Sequence, residues 1–416
     1  MEQKKKNGAV IAIAAMIFLF AMISFVTNMA APFGTIWKNT YDWAGMVGNL
    51  MNFAAYLFMG IPAGMMITKI GYKKTALIAL ALGFIGVGVQ YASSTMDTSV
   101  SAMNAYIVYL LGAFICGFCV CILNTVVNPM LNLLGGGGKR GNQLIQTGGS
   151  LNSLAATLTP MLAGAMIGEV TKDTSMGDVS MLLIIAMAIF AVSFFIIYAT
   201  KLEEPTTEKS DVMEGIKGAL SYRHLVLGII AIFFYVGIEV GIPGQLLFYL
   251  SEPGGVLGSA AIAGTIAGIY WLLMLVGRLT SAFISGAVSS RAQLIVVSAV
   301  AIILLVVAIF MPETSKITLQ GAEVPTKVLF IILCGLCTSV MWGVIFNLAT
   351  EGLGKYTASA SGLFMTMVVG GGIMPFVQNI AAGSIGHIQS YWIVVAMLVY
   401  MLFYALVGSR VSNKAK

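Results

Sequence analysis

Twelve apolar runs, each long enough to cross a bilayer, dominate this chain and leave it few ways to fold. They fall at roughly 9–36, 44–68, 74–94, 104–134, 143–168, 179–200, 224–250, 258–289, 292–311, 327–350, 357–384 and 390–409. Inside hydrocarbon every backbone N–H and C=O needs an internal partner, so a run of about 20 apolar residues spans as a helix. Composition agrees: 59% of the 416 residues are hydrophobic and 9% are charged, against roughly a quarter in a soluble domain. The expected fold class is an all-α membrane protein with twelve transmembrane helices.

The net charge of +6 could point to nucleic acid, but the positions of the charges exclude it. With the N-terminus in the cytoplasm, eighteen of the 22 basic residues collect on one side, from Lys4, Lys5 and Lys6 to Lys414 and Lys416. The other side receives Lys38, Lys172, Lys316 and Lys327. That asymmetry is the positive-inside pattern, so the expected topology is N-in, C-in, with the bilayer as partner. The start, Met1-Glu-Gln-Lys-Lys-Lys6 before an apolar run, imitates a secretory signal. Its apolar run exceeds a signal core and similar runs follow, so it is read as a first helix. Cys116, Cys119, Cys121, Cys334 and Cys337 all sit in apolar runs without a nearby His or cation, and are read as small packing residues rather than a metal or dithiol site.

A polar linker, 201–224, divides the chain into six-helix halves, 1–200 and 225–416. The halves echo each other. Asn28-x-x-x-Pro32 in the first helix answers Glu239-x-x-x-Pro243 in the seventh. Cys116-Gly-x-Cys119 followed by Asn128 answers Cys334-Gly-x-Cys337 followed by Asn347, and Pro160 answers Pro375. Two related six-helix halves are the major facilitator architecture, in which substrate binds near the bilayer midplane between the halves.

Within the apolar runs, polar residues stand out. Glu239 lies halfway along an otherwise uncharged run, and a carboxylate in the membrane costs a few kcal/mol and faces a cavity or a partner. Asn124, Asn128 and Asn132 share one helix face, beside Pro129. Asn28, Asn49, Asn52 and Tyr56 offer similar groups on the first two helices. Amides donate to and accept from hydroxyls, and aromatic rings such as Tyr235, Trp271 and Trp342 can stack on a sugar's C–H face. Interhelical glue is the competing reading of the amides, and an interfacial belt that of the tryptophans. His224 and His387 share no cluster with a nucleophile, and nothing indicates catalysis or a cofactor.

The stretch from Gly60 through Pro62, Gly64, Thr68, Lys69 and Gly71 to Lys73 and Lys74 resembles the facilitator-superfamily loop of glycine, acid, base, glycine and paired basics, with Thr68 in the acid's place. In that family the loop latches one side of the transporter. Gly277-Arg278 and Arg291 take the corresponding place in the second half. With Asn128-Pro129, Arg140, Asn152-Ser-Leu154, Phe234-Tyr-Val-Gly-Ile-Glu239 and Gly370-Gly-Gly-Ile-Met-Pro375, the chain resembles the fucose–galactose–hexose:proton symporter family over about nine-tenths of its length. The departures are informative. Asn28 stands where that family keeps a proton-handling Asp, Asn124 where it keeps a polar or acidic residue, and Gly149 where its Gln-x-x-Asn begins.

The resemblance implies a secondary active transporter that imports a hexose by alternating access, coupled to H⁺ or Na⁺. The alternative is a uniporter, or a carrier of another small polar metabolite. Expected substrate ligands are Asn28, Asn124, Asn128 and Asn152 from the first half, with Glu239, Gln245, Trp342 and Asn347 from the second. Glu239 is the coupling residue expected, and Pro32, Lys69, Gly71, Pro243, Arg278 and Pro375 the gating residues. A monomer in a bacterial cytoplasmic (inner) membrane is expected, without cofactor or metal.

Overall fold

The computed structural model describes residues 2–29, 33, 36–37, 40–41, 44, 47–167, 175–200, 212–251, 256–257 and 260–411. Its helices are α1 (Glu2–Asn28), α2 (Val47–Ser94), α3 (Thr98–Leu134), α4 (Gly138–Ile167), α5 (Ser180–Ala199), α6 (Val212–Leu220), α7 (Arg223–Ser251), α8 (Ala260–Ile284) and α9 (Ser290–Phe310). After a hairpin follow α10 (Lys327–Thr338), α11 (Met341–Thr350), α12 (Thr357–Thr366), α13 (Gly370–Ile385) and α14 (Tyr391–Phe403). Among the described residues, ten helical stretches are long and apolar enough to cross a membrane. One of these, the 48-residue α2, bends at Gly71 and makes two crossings, and the more polar α4 supplies the twelfth.

Gly71 turns the chain because its φ of 84° and ψ of 169° belong to a region open to glycine and closed to L side chains. The second-half counterpart is placed differently from the expectation. Gly277 and Arg278 lie inside α8, six residues before its end at Ile284, and the turn to α9 comes at 285–289. Arg278 is therefore a buried helical residue, not a loop charge that sets topology. The runs expected at 327–350 and 357–384 are each interrupted, at Ser339–Val340 and at Met367–Val369.

Contacts group the chain into two compact units. Unit 1 holds Met1–Leu134, Leu151–Ala219 and Leu353–Thr366; unit 2 holds Gly135–Ser150, Leu220–Gly352 and Met367–Lys416. The sequence halves, by contrast, place 135–150 in the first and 353–366 in the second. The reason is local packing: the start of α4 is hydrogen-bonded to unit 2, and α12 lays Gly362 against Gly60 and Gly64 of α2 in unit 1.

Within unit 1 the interior is built from notches. Gly83 of α2 faces Phe190 and Cys119, and Gly86 faces Cys116, so thiols fill spaces that larger residues could not. Small residues let helices approach where the hydrophobic effect supplies no force between them. All five cysteines are buried and unbridged, and the described residues hold no cluster of His, Cys, Asp and Glu able to bind a metal. Within unit 2, Gly335 sits against the Tyr270 carbonyl and Gly370 against that of Phe233.

One feature escaped the helical reading. Strands β1 (Lys316–Leu319) and β2 (Ala322–Pro325) pair antiparallel between α9 and α10. Alternating Ile317 and Leu319 across from Val324 and Ala322 supply the period of two. Gln320 and Gly321, both at positive φ (51° and 77°), form the two-residue turn. Gln is not suited to the first of these positions. Gln320→Asn is expected to stabilise by about 0.5 kcal/mol, measured as a raised midpoint of thermal unfolding.

Beside the hairpin, Glu313 accepts from Lys327 Nζ at 2.6 Å and from Tyr249 Oη at 2.6 Å. Partial burial raises its pKa, but the Lys327 and Tyr249 hydrogen bonds and the Lys327 charge outweigh that and hold the carboxyl below its usual value. A depressed carboxyl stabilises the fold above its unfolded pKa and loses that contribution as pH falls through its folded value. Stability should therefore drop on acidification below the ordinary 4.5, and Glu313→Gln should flatten that limb of a melting-temperature-versus-pH curve.

Candidate functional site

Unit 1 presents the amide residues. In α3, Pro129 lacks the N–H that would have bonded the Thr125 carbonyl four residues earlier. Ser361 Oγ of α12 donates to that carbonyl at 3.2 Å instead. Asn128 Nδ2 donates to the Asn124 carbonyl at 2.8 Å, and Asn124 Nδ2 donates to Tyr56 Oη of α2 at 3.0 Å. Both asparagines are buried. Asn28, in α1, donates through Nδ2 to the carbonyl and hydroxyl of Ser24, and Asn152 donates to the Phe20 carbonyl at 2.8 Å, tying α4 to α1. These two keep part of their surface exposed. Asn124 and Asn152 thus tie helices together, while Asn28 and Asn128 bond back within their own helices. Asn132 Oδ1 and Asn52 Oδ1 are buried without a hydrogen-bond partner.

Unit 2 presents the ions. Arg278 Nη2 donates to Glu239 Oε1 at 3.1 Å, with side-chain exposures of 10% and 15%. The guanidinium also donates through Nε to the Ser339 carbonyl at 3.1 Å and through Nη1 to the Gly149 carbonyl at 3.2 Å. The helix break at Ser339–Val340 separates α10 from α11, and Gln146 Nε2 takes the Val340 carbonyl at 2.8 Å. Gly277 can lie beside Ser339 only because it lacks a side chain; a Cβ there would meet the Ser339 hydroxyl at 2.1 Å. Tyr235, one turn before Glu239, is wholly buried beside the pair, and its hydroxyl makes no hydrogen bond of ordinary geometry. Trp342 packs edge-on to Tyr235 with ring centroids 6.2 Å apart, and Tyr270 Oη bonds Thr338 Oγ1 at 2.7 Å.

Other expected ligands lie elsewhere in unit 2. Gln245 is buried and hydrogen-bonded to His387 Nδ1. Asn347 is buried and donates to Ser290 Oγ at 2.8 Å, at the start of α9. Pro243 lies four residues after Glu239, where it removes the donor for that residue's carbonyl. Pro375 lies inside α13, which Gly370 seats against α7. Lys69 stands two residues before the Gly71 bend in α2. Pro32 lies outside the described residues.

Arg278 is the residue of this constellation that the sequence reading placed wrongly, and Gln146 one that it passed over. A signal was available. Arg278 falls inside the 258–289 run, where a lone arginine is as costly as Glu239 in its own run. Opposite charges buried in the membrane pair with one another.

The sequence profile of the Major Facilitator Superfamily matches residues 11–376. The chain belongs to this superfamily. A glucose/galactose transporter of Brucella abortus biovar 1 (strain 9-941) is 27% identical over 416 residues, covering 98% of this chain and 96% of the relative. The L-fucose-proton symporter of Escherichia coli (strain K12) is 23% identical over 420 residues, covering 94% and 90%. The crystal structure of the facilitator FucP in the outward conformation superposes with a TM-score of 0.80 at 20% identity, covering 96% of this chain and 98% of FucP. These relatives bear out the resemblance to the fucose–galactose–hexose branch. As a member of the Major Facilitator Superfamily, the chain is a multi-pass membrane transporter and not an enzyme.

Leaving one partner of a buried ion pair alone costs far more than removing both. Glu239→Ala should therefore destabilise by about 3–5 kcal/mol. Glu239→Gln combined with Arg278→Gln should lose much less, as read from thermal unfolding of the detergent-solubilised protein.

Proposed function

We propose that this facilitator imports a hexose, of the glucose or galactose kind, by alternating access, with H⁺ or Na⁺ moving alongside. The observation that carries the reading is a membrane-buried carboxylate, Glu239, set next to Tyr235 and Trp342. A carboxylate accepts bidentate hydrogen bonds from neighbouring sugar hydroxyls, and an aromatic face covers the ring's C–H side. The names of the Brucella and Escherichia relatives support a sugar as the solute. Among the expected ligands, Asn28, Asn152, Glu239 and Trp342 keep exposed surface, so these four are the ones assigned to hydroxyl and ring contacts. Asn124, Asn128, Gln245 and Asn347 are buried and hydrogen-bonded within the protein, and are assigned to holding the helices that carry the four.

Coupling is assigned to Glu239, which would take up a proton or share a Na⁺ with nearby carbonyls. Gly71 with Lys69, and the bends at Pro243 and Pro375, are assigned to gating. The chain sits N-in, C-in in a bacterial inner membrane, acts as a monomer and needs no cofactor. Uniport of a sugar or another small polar metabolite is the second reading. It is favoured by the pairing of Glu239 with Arg278, which leaves the carboxylate already compensated, and by Asn28 and Asn124 where acids could have stood.

Proteoliposomes distinguish the two. Under symport, labelled glucose or galactose accumulates above equilibrium when a proton or sodium gradient is imposed. Glu239→Gln should abolish that accumulation, while counterflow exchange, which needs no coupling ion, should persist at a raised KM because a sugar contact is weakened. Accumulation that survives this substitution removes Glu239 from coupling, and accumulation driven by neither ion establishes uniport.

A further inference from the structure

The first turns of α4 are held in unit 2 by one line of hydrogen bonds. Lys139 Nζ donates to the Ala287 carbonyl at 2.7 Å, Asn142 Nδ2 to Ser285 Oγ at 2.9 Å, and Gln146 Nε2 to the Val340 carbonyl at 2.8 Å. The Gly149 carbonyl accepts from Arg278 Nη1 at 3.2 Å. Residues 139, 142, 146 and 149 are spaced by three, four and three, so they lie along one helix face. The first three bonds are made by α4's own side chains. The fourth depends on a guanidinium from α8 whose placement is shared with Glu239 and Ser339.

We propose that Arg278 is a positioning residue that makes the docking of residues 138–149 depend on the charge of Glu239, so that loading Glu239 with the coupling ion releases this end of α4. The guanidinium is a rigid plane, and its Nε, Nη1 and Nη2 contacts stand or fall together. While Glu239 is ionised, the buried Arg278 has its counter-charge and clamps the Gly149 and Ser339 carbonyls. When a proton or cation neutralises Glu239, an uncompensated guanidinium remains in a low dielectric. It then turns toward water and withdraws from both carbonyls. The Arg278 stem packs against Gly149, 3.4 Å from where a Cβ would be, so the guanidinium is held beside the carbonyl it bonds. The same helix continues in unit 1 with Asn152, three residues beyond Gly149, so release at one end bears on a proposed sugar contact at the other.

The charged and titratable groups around Glu239 are few. Arg278 and Tyr270 face it from α8, and Tyr235 from its own helix. Cys334 and Cys337 lie on α10, with Cys334 near Tyr270, while α11 and α13 carry no titratable side chain. On α14, Tyr391 and Tyr400 are bonded to the Ile242 and Leu227 carbonyls of α7. Lys327, at the start of α10, is engaged with Glu313, so among the described residues Arg278 is the cation paired with Glu239, and neutralising Glu239 acts first on it.

The inference rests on the assignment of Glu239 to coupling but on no assumption about the solute, so its test is run without sugar. Hydrogen–deuterium exchange is read on the full chain in lipid nanodiscs at several pD values, corrected for intrinsic rates, with and without Na⁺. Exchange across 138–149 should rise roughly tenfold when Glu239 is neutralised by acid or by Na⁺. Glu239→Gln should show the fast rate under all conditions. Arg278→Lys keeps the charge but loses the fork, so it should also exchange fast and without response. Lys139→Ala should quicken the segment yet keep the response, which a merely structural role for Arg278 would not produce. A wild-type segment indifferent to both pD and Na⁺, or a response that persists in Glu239→Gln, overturns the proposal. A chain that moved no hexose in proteoliposomes would leave these exchange rates untouched.

Discussion

The Glu239–Arg278 pair is the constraint around which unit 2 is arranged. Two charges this deep are tolerable only with each other and with hydrogen bonds for the remaining guanidinium donors. The acceptors are carbonyls at the α10–α11 junction, Ser339 for Arg278 and Val340 for Gln146, and the Gly149 carbonyl of α4. Gly277, beside the arginine, has no side chain to obstruct the approach of Ser339. A single ion pair thereby ties together α4, α7, α8 and the α10–α11 junction.

Unit 1 solves a different problem without charge. Its amides donate to the Ser24, Phe20 and Asn124 carbonyls and to the Tyr56 hydroxyl. The carbonyl freed by Pro129 goes to Ser361. Such bonds are individually modest, but in hydrocarbon the alternative is an orphaned polar group. The contrast gives the halves different chemistry: amides on one, an acid with its arginine and aromatics on the other.

Much of this was legible in the chain. The apolar runs gave the helices, because the requirement that backbone groups bond internally acts on every stretch of about 20 apolar residues alike. Glu239 was visible as an anomaly of charge, and the relatives support the branch its flanking residues resemble. Arg278 was misplaced because a basic residue near a helix end reads equally as a loop charge, and depth in the membrane is not written in hydropathy. That Asn124 and Gln245 are buried and hydrogen-bonded within the protein was not legible, because residue type does not reveal whether an amide's donor is already taken. The β1–β2 hairpin was missed because four-residue strands are too short for their alternation to stand out beside long helices.

By itself, then, the sequence determined what must cross the membrane and where a charge would need an explanation, since both follow from the energy of moving groups out of water. The tertiary structure decided which charge answers Glu239, that the first turns of α4 belong with unit 2, and which amides remain accessible. Those depend on contacts between residues 39 and 129 positions apart. Local pattern cannot encode such distances, and close packing at a few glycines can.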